Sequence, residues 1–180
     1  MKAPMLLVHC CCVHCSAYTL RYWREQGFDV TSYWYNPNIH PTDEHQERLQ
    51  ALRRYLTDSG IELVVDGDYR PDEYDDALTE EKQKPARCSV CYSLRLQATA
   101  GFAASEKYDG FTTSLLISPQ QYHKIVRDAG LTAADEYGVK FKYTDIRKRY
   151  SDSRKLTRPL GLYRQRYCGC RYSAEEASVR

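Results

Sequence analysis

The sequence predicts an α/β protein in which a parallel β-sheet is flanked by helices. Along the 180 residues, short runs rich in β-branched and aromatic residues alternate with longer segments of helical periodicity. Strands that alternate with helices form right-handed βαβ units, so the sheet is expected to be parallel and covered on both faces. Ligands bind beyond the carboxyl ends of the strands in such folds. The first predicted strand, residues 5–8, ends in a cysteine-rich stretch, which predicts a functional site there.

Five strands and the helices between them are predicted, in chain order, from their periodicity and their breakers. Apolar or alternating runs predict strands at 5–8, 28–35, 61–65, 110–117 and 139–143. Apolar residues at helical spacing predict helices at 16–26, 42–59, 71–82, 93–107 and 118–128, an added turn at 133–137 and a short helix near 151–156. Ser16, Thr42 and Ser118 are the predicted N-caps, and Gly27 and Gly60 are the predicted stops.

Length and composition indicate one soluble domain spanning residues 1–180, with a basic segment at 140–172. No stretch approaches the ~20 apolar residues of a membrane span, and no basic-then-apolar leader opens the chain. We therefore expect a cytoplasmic protein that does not contact a membrane. Eight cysteines are many for such a protein. Because a reducing compartment disfavours disulfides, metal binding or redox chemistry is the leading explanation.

Positive charge is concentrated near the end of the chain. Residues 1–139 contain 14 Lys and Arg against 20 Asp and Glu, whereas residues 140–171 contain 11 against two. Such a block is typical of a phosphate-binding surface, most often one for nucleic acid, and a solvated basic face is the alternative. The glycine-rich phosphate loops of ATP- and NAD-binding proteins do not follow the first strand, which disfavours those cofactors.

The eight cysteines fall into three groups, which are Cys10, Cys11, Cys12 and Cys15; Cys88 and Cys91; and Cys168 and Cys170. In the first group, Cys10 is the best candidate for a core residue, because in a continued strand it points away from Cys11. The two pairs provide four thiolates, which suit tetrahedral zinc or a [4Fe–4S] cluster equally well. A zinc-stabilised RNA-binding module without catalysis is therefore an alternative to an enzyme, as is a general thiol oxidoreductase. The surplus thiols of the first group favour a metalloenzyme.

Four motifs follow one another over almost the whole chain. They are His9-Cys10-Cys11-Cys12-Val13-His14-Cys15, residues 87–96 (RCSVCYSLRL), residues 112–119 (TTSLLISP) and residues 163–173 (YRQRYCGCRYS). Jointly they resemble the cobalamin-independent epoxyqueuosine reductases of the QueH type. The first motif of that family usually reads Cys-Cys-Ala-Pro-Cys, and here Val13-His14 stands in place of Ala-Pro.

The resemblance implies the last step of queuosine synthesis in the anticodon loop of tRNA. In that step the epoxide oxygen of epoxyqueuosine is removed, which needs two electrons and two protons. The resemblance also implies a Rossmann-like core of the nucleotide-hydrolase (HUP) kind, a [4Fe–4S] cluster and an adjacent mononuclear iron. The mononuclear iron would keep one position open for the epoxide oxygen and act as a Lewis acid. No motif identifies the electron donor.

The resemblance and the spacing together assign roles to individual residues. The [4Fe–4S] cluster is expected on Cys88, Cys91, Cys168 and Cys170. The mononuclear iron and the catalytic centre are expected on Cys11, Cys12 and Cys15. His123 is the catalytic candidate for proton donation, beside His14, Tyr122 and Asp145. The tRNA backbone is expected to contact Arg147, Lys148, Arg149, Arg154, Lys155, Arg158, Arg164 and Arg166.

Overall fold

A parallel sheet lies at the centre of the protein. The computed structural model describes residues 2–80 and 82–179. The strands in these ranges are β1 (Met5–His9), β2 (Asp29–Trp34), β3 (Leu63–Val65) and β4 (Gly110–Thr113), in the order β3-β2-β1-β4. β1 pairs with β2 on one side and with β4 on the other, and every pairing is parallel. The predicted α/β fold with a parallel sheet is therefore confirmed.

Helices cover both faces of the sheet. In the described ranges they are α1 (Val13–Glu25), α2 (Thr42–Ser59), α3 (Asp72–Ala77), α4 (Ala86–Ser105), α5 (His123–Tyr137), α6 (Tyr150–Thr157) and α7 (Arg171–Ser178). Short 3-10 turns lie at Ser114–Ile117, Arg147–Arg149 and Arg158–Leu160. None of the helices in the described residues is long and apolar enough to cross a membrane.

Each face of the sheet has its own apolar core, because successive side chains of a strand point to opposite faces. Leu7 of β1 packs with Tyr33 and Phe111 in the first core, which α4 and α5 cover. Leu6 and Val8 pack in the second core, under α1 and α2. β1 is therefore buried on both faces, and its carboxyl end is held in a fixed position.

Two predicted strands differ from the structure. The strand predicted at 110–117 ends at Thr113, whose Oγ1 accepts a hydrogen bond from the Leu115 N–H at 3.1 Å and caps the 3-10 turn that follows. The strand predicted at 139–143 does not form, and the described chain there makes a single parallel bridge between Phe111 and Phe141. The Phe141 ring instead packs against Gly130, where a Cβ atom would lie 2.4 Å from it.

The starts of α1, α4 and α5 also differ, and α4 begins at Ala86 and not at 93, so that it includes the first cysteine pair. α1 begins at Val13 and not at Ser16, and the Ser16 hydroxyl donates to the Cys12 carbonyl at 2.7 Å from inside the helix. α5 begins at His123, so the predicted cap Ser118 lies outside it, and the segments predicted at 118–128 and 133–137 form one helix. Thr42 is the first residue of α2 and not its cap. α7 was not predicted, because it buries little beyond Ser173 and has no apolar stripe.

Candidate metal centre

Three thiols meet where β1 ends and α1 begins. β1 ends at His9, Cys12 occupies the N-cap position of α1, and Cys15 lies in the first turn of that helix. The sulfur atoms of Cys11, Cys12 and Cys15 all lie within 4.8 Å of one another. Three thiolates at that spacing can bind one metal ion. We call these three residues the thiol trio, and no other His, Cys, Asp or Glu side chains in the described residues form such a group of three.

The trio is arranged to hold a negative charge. Hydrogen bonds from the Cys12 and Cys15 thiols, together with the positive charge of Arg95, hold the pKa of the Cys11 thiol well below its ordinary value. The same hydrogen bond with Cys11 raises the pKa of Cys12 to about 12. The Ser114 hydroxyl lies 3.7 Å from the Cys11 sulfur and can donate to it. Cys11 is therefore the first of the three to ionise, and the thiolate is the form that binds metal.

Cys10 is next to the trio in sequence but belongs to the core on the other face of the sheet. It is fully buried with Leu6 and Val8, and its thiol donates to the Val8 carbonyl at 3.3 Å. Burial raises the pKa of the Cys10 thiol to about 12. A buried and protonated thiol in an apolar core acts as a packing residue.

The other four cysteines come from two helix starts that are far apart in sequence. Cys88 and Cys91 lie in the first two turns of α4, and Cys168 and Cys170 immediately precede α7. Burial raises the pKa of Cys91 to about 12, and the nearby thiols of Cys168, Cys170 and Cys88 add to that shift. The four thiols therefore share one neighbourhood, although no three of them lie as close together as the trio. We call these four residues the thiol quartet.

Gly169 allows the chain between Cys168 and Cys170 to pass close to the start of α2. Its φ of +148° is one that other residues rarely adopt, and a Cβ atom there would lie 3.4 Å from the Arg48 guanidinium. The Gly169 carbonyl accepts a hydrogen bond from the His40 N–H at 2.9 Å. A glycine at position 169 is therefore needed for the chain that carries Cys168 and Cys170 to pack against α2.

Arg48 of α2 holds the same loop from inside the protein. Its guanidinium donates to the carbonyl oxygens of Cys168 and Tyr167 at 2.9 and 3.0 Å. Its Nε forms an ion pair with Glu44 at 2.7 Å, and the two side chains are only 1% and 8% exposed. This buried pair orders the loop that carries half of the quartet.

Replacing Arg48 by methionine is expected to lower the free energy of unfolding by about 3–5 kcal/mol, because the Glu44 carboxylate is left buried without its partner. Equilibrium unfolding in urea measures the change. Arg21→Met is the control, since Arg21 forms an exposed ion pair with Glu25, and its loss should leave the midpoint nearly unchanged. Equal midpoints for the two variants would show that Arg48 stabilises the protein no more than a surface arginine does.

His14 joins the trio's helix to the basic segment. Its Nε2 donates to the Tyr163 carbonyl at 3.0 Å, and its Nδ1 lies 2.6 Å from Thr157 Oγ1. His14, Thr157 and Tyr150 line a cavity of about 480 Å³ together with cationic side chains of the basic segment. Tyr150 also packs against the apolar cluster that contains the trio. Tyr150 therefore contacts both the cavity and the surroundings of the trio.

Half of the basic residues predicted to contact tRNA line this cavity. The four that do are Arg154, Lys155, Arg158 and Arg164, and the four that do not are Arg147, Lys148, Arg149 and Arg166. Arg147 and Arg149 form ion pairs with Asp145 and Asp152, at 2.6 and 2.7 Å. The cationic side chains of the cavity therefore form a concave surface suited to an anionic ligand.

His123, the sequence candidate for proton donation, has its polar contacts elsewhere. Its Nε2 lies 3.0 Å from the Tyr143 hydroxyl and 3.9 Å from Asp145, and burial lowers the pKa of its imidazole. Among the described residues, its hydrogen-bond partner is thus a tyrosine and not a cysteine. The segment before it borders the quartet, because the Gln121 amide lies 3.6 Å from the Cys168 sulfur.

Two residues of the site were not singled out from the sequence, Tyr150 and Arg95. Burial raises the pKa of the Tyr150 hydroxyl, and the nearby Cys15 and Cys12 thiols add to the shift. Nothing in the local sequence distinguishes Tyr150 from the other 15 tyrosines. Arg95 is 2% exposed and lies one helical turn after Cys91, and that spacing could have identified it.

The chain has close relatives of one description. A family model described as "Epoxyqueuosine reductase QueH" matches residues 6–176. A protein of the same description from Dehalococcoides mccartyi is 50% identical over 174 residues, which cover 97% of this chain and 94% of the relative. Another from Streptococcus pyogenes is 35% identical over 186 residues, which cover 98% of this chain and 72% of the relative.

One solved structure with a similar fold is that of "U34-tRNA thiolase NcsA from Methanococcus maripaludis with its [4Fe-4S] cluster". The TM-score is 0.55 at 13% sequence identity, and the match covers 99% of this chain and 66% of that one. At this identity the likeness shows a shared fold. The sheet order and the covering helices described above are therefore those of a known architecture.

Proposed function

This chain belongs to the epoxyqueuosine reductase QueH family, and we propose that it reduces the epoxide of epoxyqueuosine in tRNA to the cyclopentene of queuosine. It is accordingly an oxidoreductase. The observation that carries the proposal is the thiol trio at the carboxyl end of β1, next to a basic cavity. A zinc-stabilised RNA-binding module without catalysis would use the quartet and would leave the trio without a role.

The donor sets of the two thiol groups fit the two iron groups that the proposal requires. The trio is spaced for a single ion, and three protein ligands leave a tetrahedral ion one further position. The quartet offers four cysteines, the ligand set of a [4Fe–4S] cluster, with a spacing wider than one ion needs. When bound, these groups supply the electrons of the reduction and a Lewis acid for the epoxide oxygen. A separate electron donor provides the reducing equivalents.

The reaction also consumes two protons, because an epoxide, two electrons and two protons give an alkene and water. Tyr150 is the residue best placed to donate one of these protons. Its ring contacts the cavity and the surroundings of the trio, and burial keeps the pKa of its hydroxyl above the ordinary value. Tyr150 Oη is thus protonated at neutral pH and can donate to a substrate oxygen held beside the trio.

The cavity would hold phosphates that flank the modified nucleotide. Its volume of about 480 Å³ lies in the usual range for ligand pockets, and four cationic side chains line it. Contacts to phosphates fix the register of an RNA without reading its sequence. A loop nucleotide that is unstacked from its neighbours can then enter the site, as is usual in the recognition of RNA loops.

Tyr150→Phe is expected to slow a single turnover of epoxide reduction by about 10²–10⁴-fold, the range for loss of a general acid. Metal content and tRNA affinity should be unchanged, because the ring is kept. Anaerobic rapid quench with nucleoside mass analysis gives the rate, and Tyr137→Phe, an exposed position on α5, is the matched control. A Tyr150→Phe enzyme that turns over at the wild-type rate would assign the proton to another group.

The proposed function is tested with anaerobic protein whose iron and sulfide contents have been measured. The protein is incubated with epoxyqueuosine-containing tRNA and a chemical reductant, and the nucleosides are then analysed by mass. We expect loss of one oxygen atom from the modified nucleoside with the iron-loaded protein and no reaction with the zinc-loaded protein. Unchanged epoxyqueuosine after incubation with fully iron-loaded protein would contradict the proposal.

A further inference from the structure

Arg95 is a fully buried arginine on the cysteine-bearing face of α4. Its side chain is 2% exposed, and its Nε donates to the carbonyl of Cys91, one helical turn before it, at 3.1 Å. Its guanidinium carbon lies 5.9 Å from the centre of the Tyr92 ring. Arg95 is therefore tied to the helix start that carries half of the quartet.

A second set of contacts connects Arg95 to the end of β1. Its Nη1 lies 3.5 Å from the Asn36 side-chain oxygen, and the amide of Asn36 donates to the Cys10 carbonyl at 2.9 Å. The same Asn36 oxygen lies 3.2 Å from His9 Nε2. Asn36 thus joins Arg95 to the two residues that precede the trio.

No carboxylate balances the charge of Arg95. Arg48, the other arginine buried beside the thiols, is paired with Glu44 at 2.7 Å. Among the described residues, Arg95 has no ion-pair partner within 4.0 Å. Because an isolated buried charge is costly, this guanidinium requires negative charge nearby.

The thiols of the two groups are the acidic side chains beside Arg95 that can provide that negative charge, because its guanidinium is held at the start of α4 by the Cys91 carbonyl. Burial alone would lower the pKa of the Arg95 guanidinium, but the charges of Cys91, Cys11 and Cys168 outweigh it and the pKa is raised. This shift agrees with the contacts of Arg95, which touches the Cys91 carbonyl at the start of α4 and is connected through Asn36 to the end of β1, where the trio begins.

We propose that Arg95 is a positioning residue whose single positive charge is shared by the trio and the quartet, and that it raises the reduction potential of the group that the quartet binds. A buried cation favours the state that carries the additional electron, so removing it makes the potential more negative. The inference rests on the proposed function only in taking the quartet as the ligands of a redox-active iron–sulfur group.

The test compares Arg95→Gln, Arg95→Lys and wild type in a redox titration followed by electron paramagnetic resonance, with iron and sulfide contents measured for each. We expect Arg95→Gln to shift the midpoint to more negative potential by at least about 59 mV, a tenfold change for one electron. Arg95→Lys keeps the charge and should stay near the wild-type value. Arg171→Gln is the matched control, because Arg171 lies beside Cys170 but is half-exposed and paired with Asp75, and no shift is expected.

An unchanged midpoint in Arg95→Gln overturns the inference, and it leaves the proposed function intact if the wild type still reduces epoxyqueuosine. A wild type without a redox-active cluster overturns the inference together with the ligand assignment. If Arg95→Gln fails to load iron, the redox midpoint of Arg95→Lys becomes the test of the inference. A lysine variant that loads and keeps the wild-type midpoint supports the role of the charge. A lysine variant that loads iron but has a midpoint clearly more negative than wild type overturns the inference, because the positive charge is kept and the potential is still lost.

Discussion

Cys12→Ala is expected to abolish binding of the metal ion proposed for the thiol trio and to slow epoxide reduction by at least about 10³-fold. A Lewis acid contributes several kcal/mol of transition-state stabilisation, and each 1.36 kcal/mol is tenfold in rate. Cys12 is 1% exposed and lies at the N-cap of α1, so that the substitution removes one of the three thiols from inside the site. Metal analysis of the anaerobic protein and nucleoside mass analysis after turnover measure the two effects.

Cys10→Ala is the matched control for this prediction. It removes a neighbouring thiol that lies in the opposite core and donates to the Val8 carbonyl. Metal content and rate are expected to stay at wild-type values, with some loss of stability from the vacated volume. An equal loss of metal in Cys10→Ala and Cys12→Ala would mean that the trio is not the ligand set.

The double variant Arg154→Gln, Arg164→Gln is expected to weaken tRNA binding and to make it less dependent on salt. Both side chains line the basic cavity. The slope of log K against log salt should fall by about 0.7–0.9 for each phosphate that the variant no longer neutralises. Fluorescence anisotropy with labelled tRNA at several potassium chloride concentrations gives the affinity and the slope.

Arg147→Gln, Arg149→Gln is the control from the same basic segment. These side chains already form ion pairs with Asp145 and Asp152 and do not line the cavity, so they are less available to phosphate groups, although the variant changes the net charge by the same two units. We expect a smaller change in slope than for the cavity pair. The same decrease of slope in both double variants would indicate that tRNA contacts the whole segment and not mainly the cavity.

The parallel sheet was predictable because its strands are buried on both faces and read as continuous apolar or β-branched runs. β1 and β2 lie close to their predicted bounds for this reason. The strand predicted at 139–143 was wrong because an apolar residue there serves another purpose. Phe141 packs its ring against Gly130 and Phe111 and does not belong to a strand of the sheet. Periodicity alone does not distinguish these two causes of burial.

The site was predictable only where its chemistry is local in sequence. The spacing of Cys11, Cys12 and Cys15 predicted a common site, and their sulfur atoms do lie together. Arg95 and Tyr150 come near the thiols through tertiary contacts. The spacing between Cys91 and Arg95 suggests the position of Arg95, but no spacing in the sequence indicates that of Tyr150. The ligand assignments stay predictions, since they depend on the metal groups that the cysteines bind.

The docking of residues 167–169 on α2 links metal affinity to the stability of a loop. Arg48 and His40 hold this loop through its carbonyl groups and contribute no ligand atom themselves. If a metal group binds the quartet only when the loop is docked, docking and metal binding are coupled. The free energy by which docking strengthens metal binding then equals the free energy by which bound metal stabilises the docked loop. If the quartet binds the proposed group, weakening the Arg48 contacts therefore raises the dissociation constant of that group, and binding of the group shifts the loop towards its docked state.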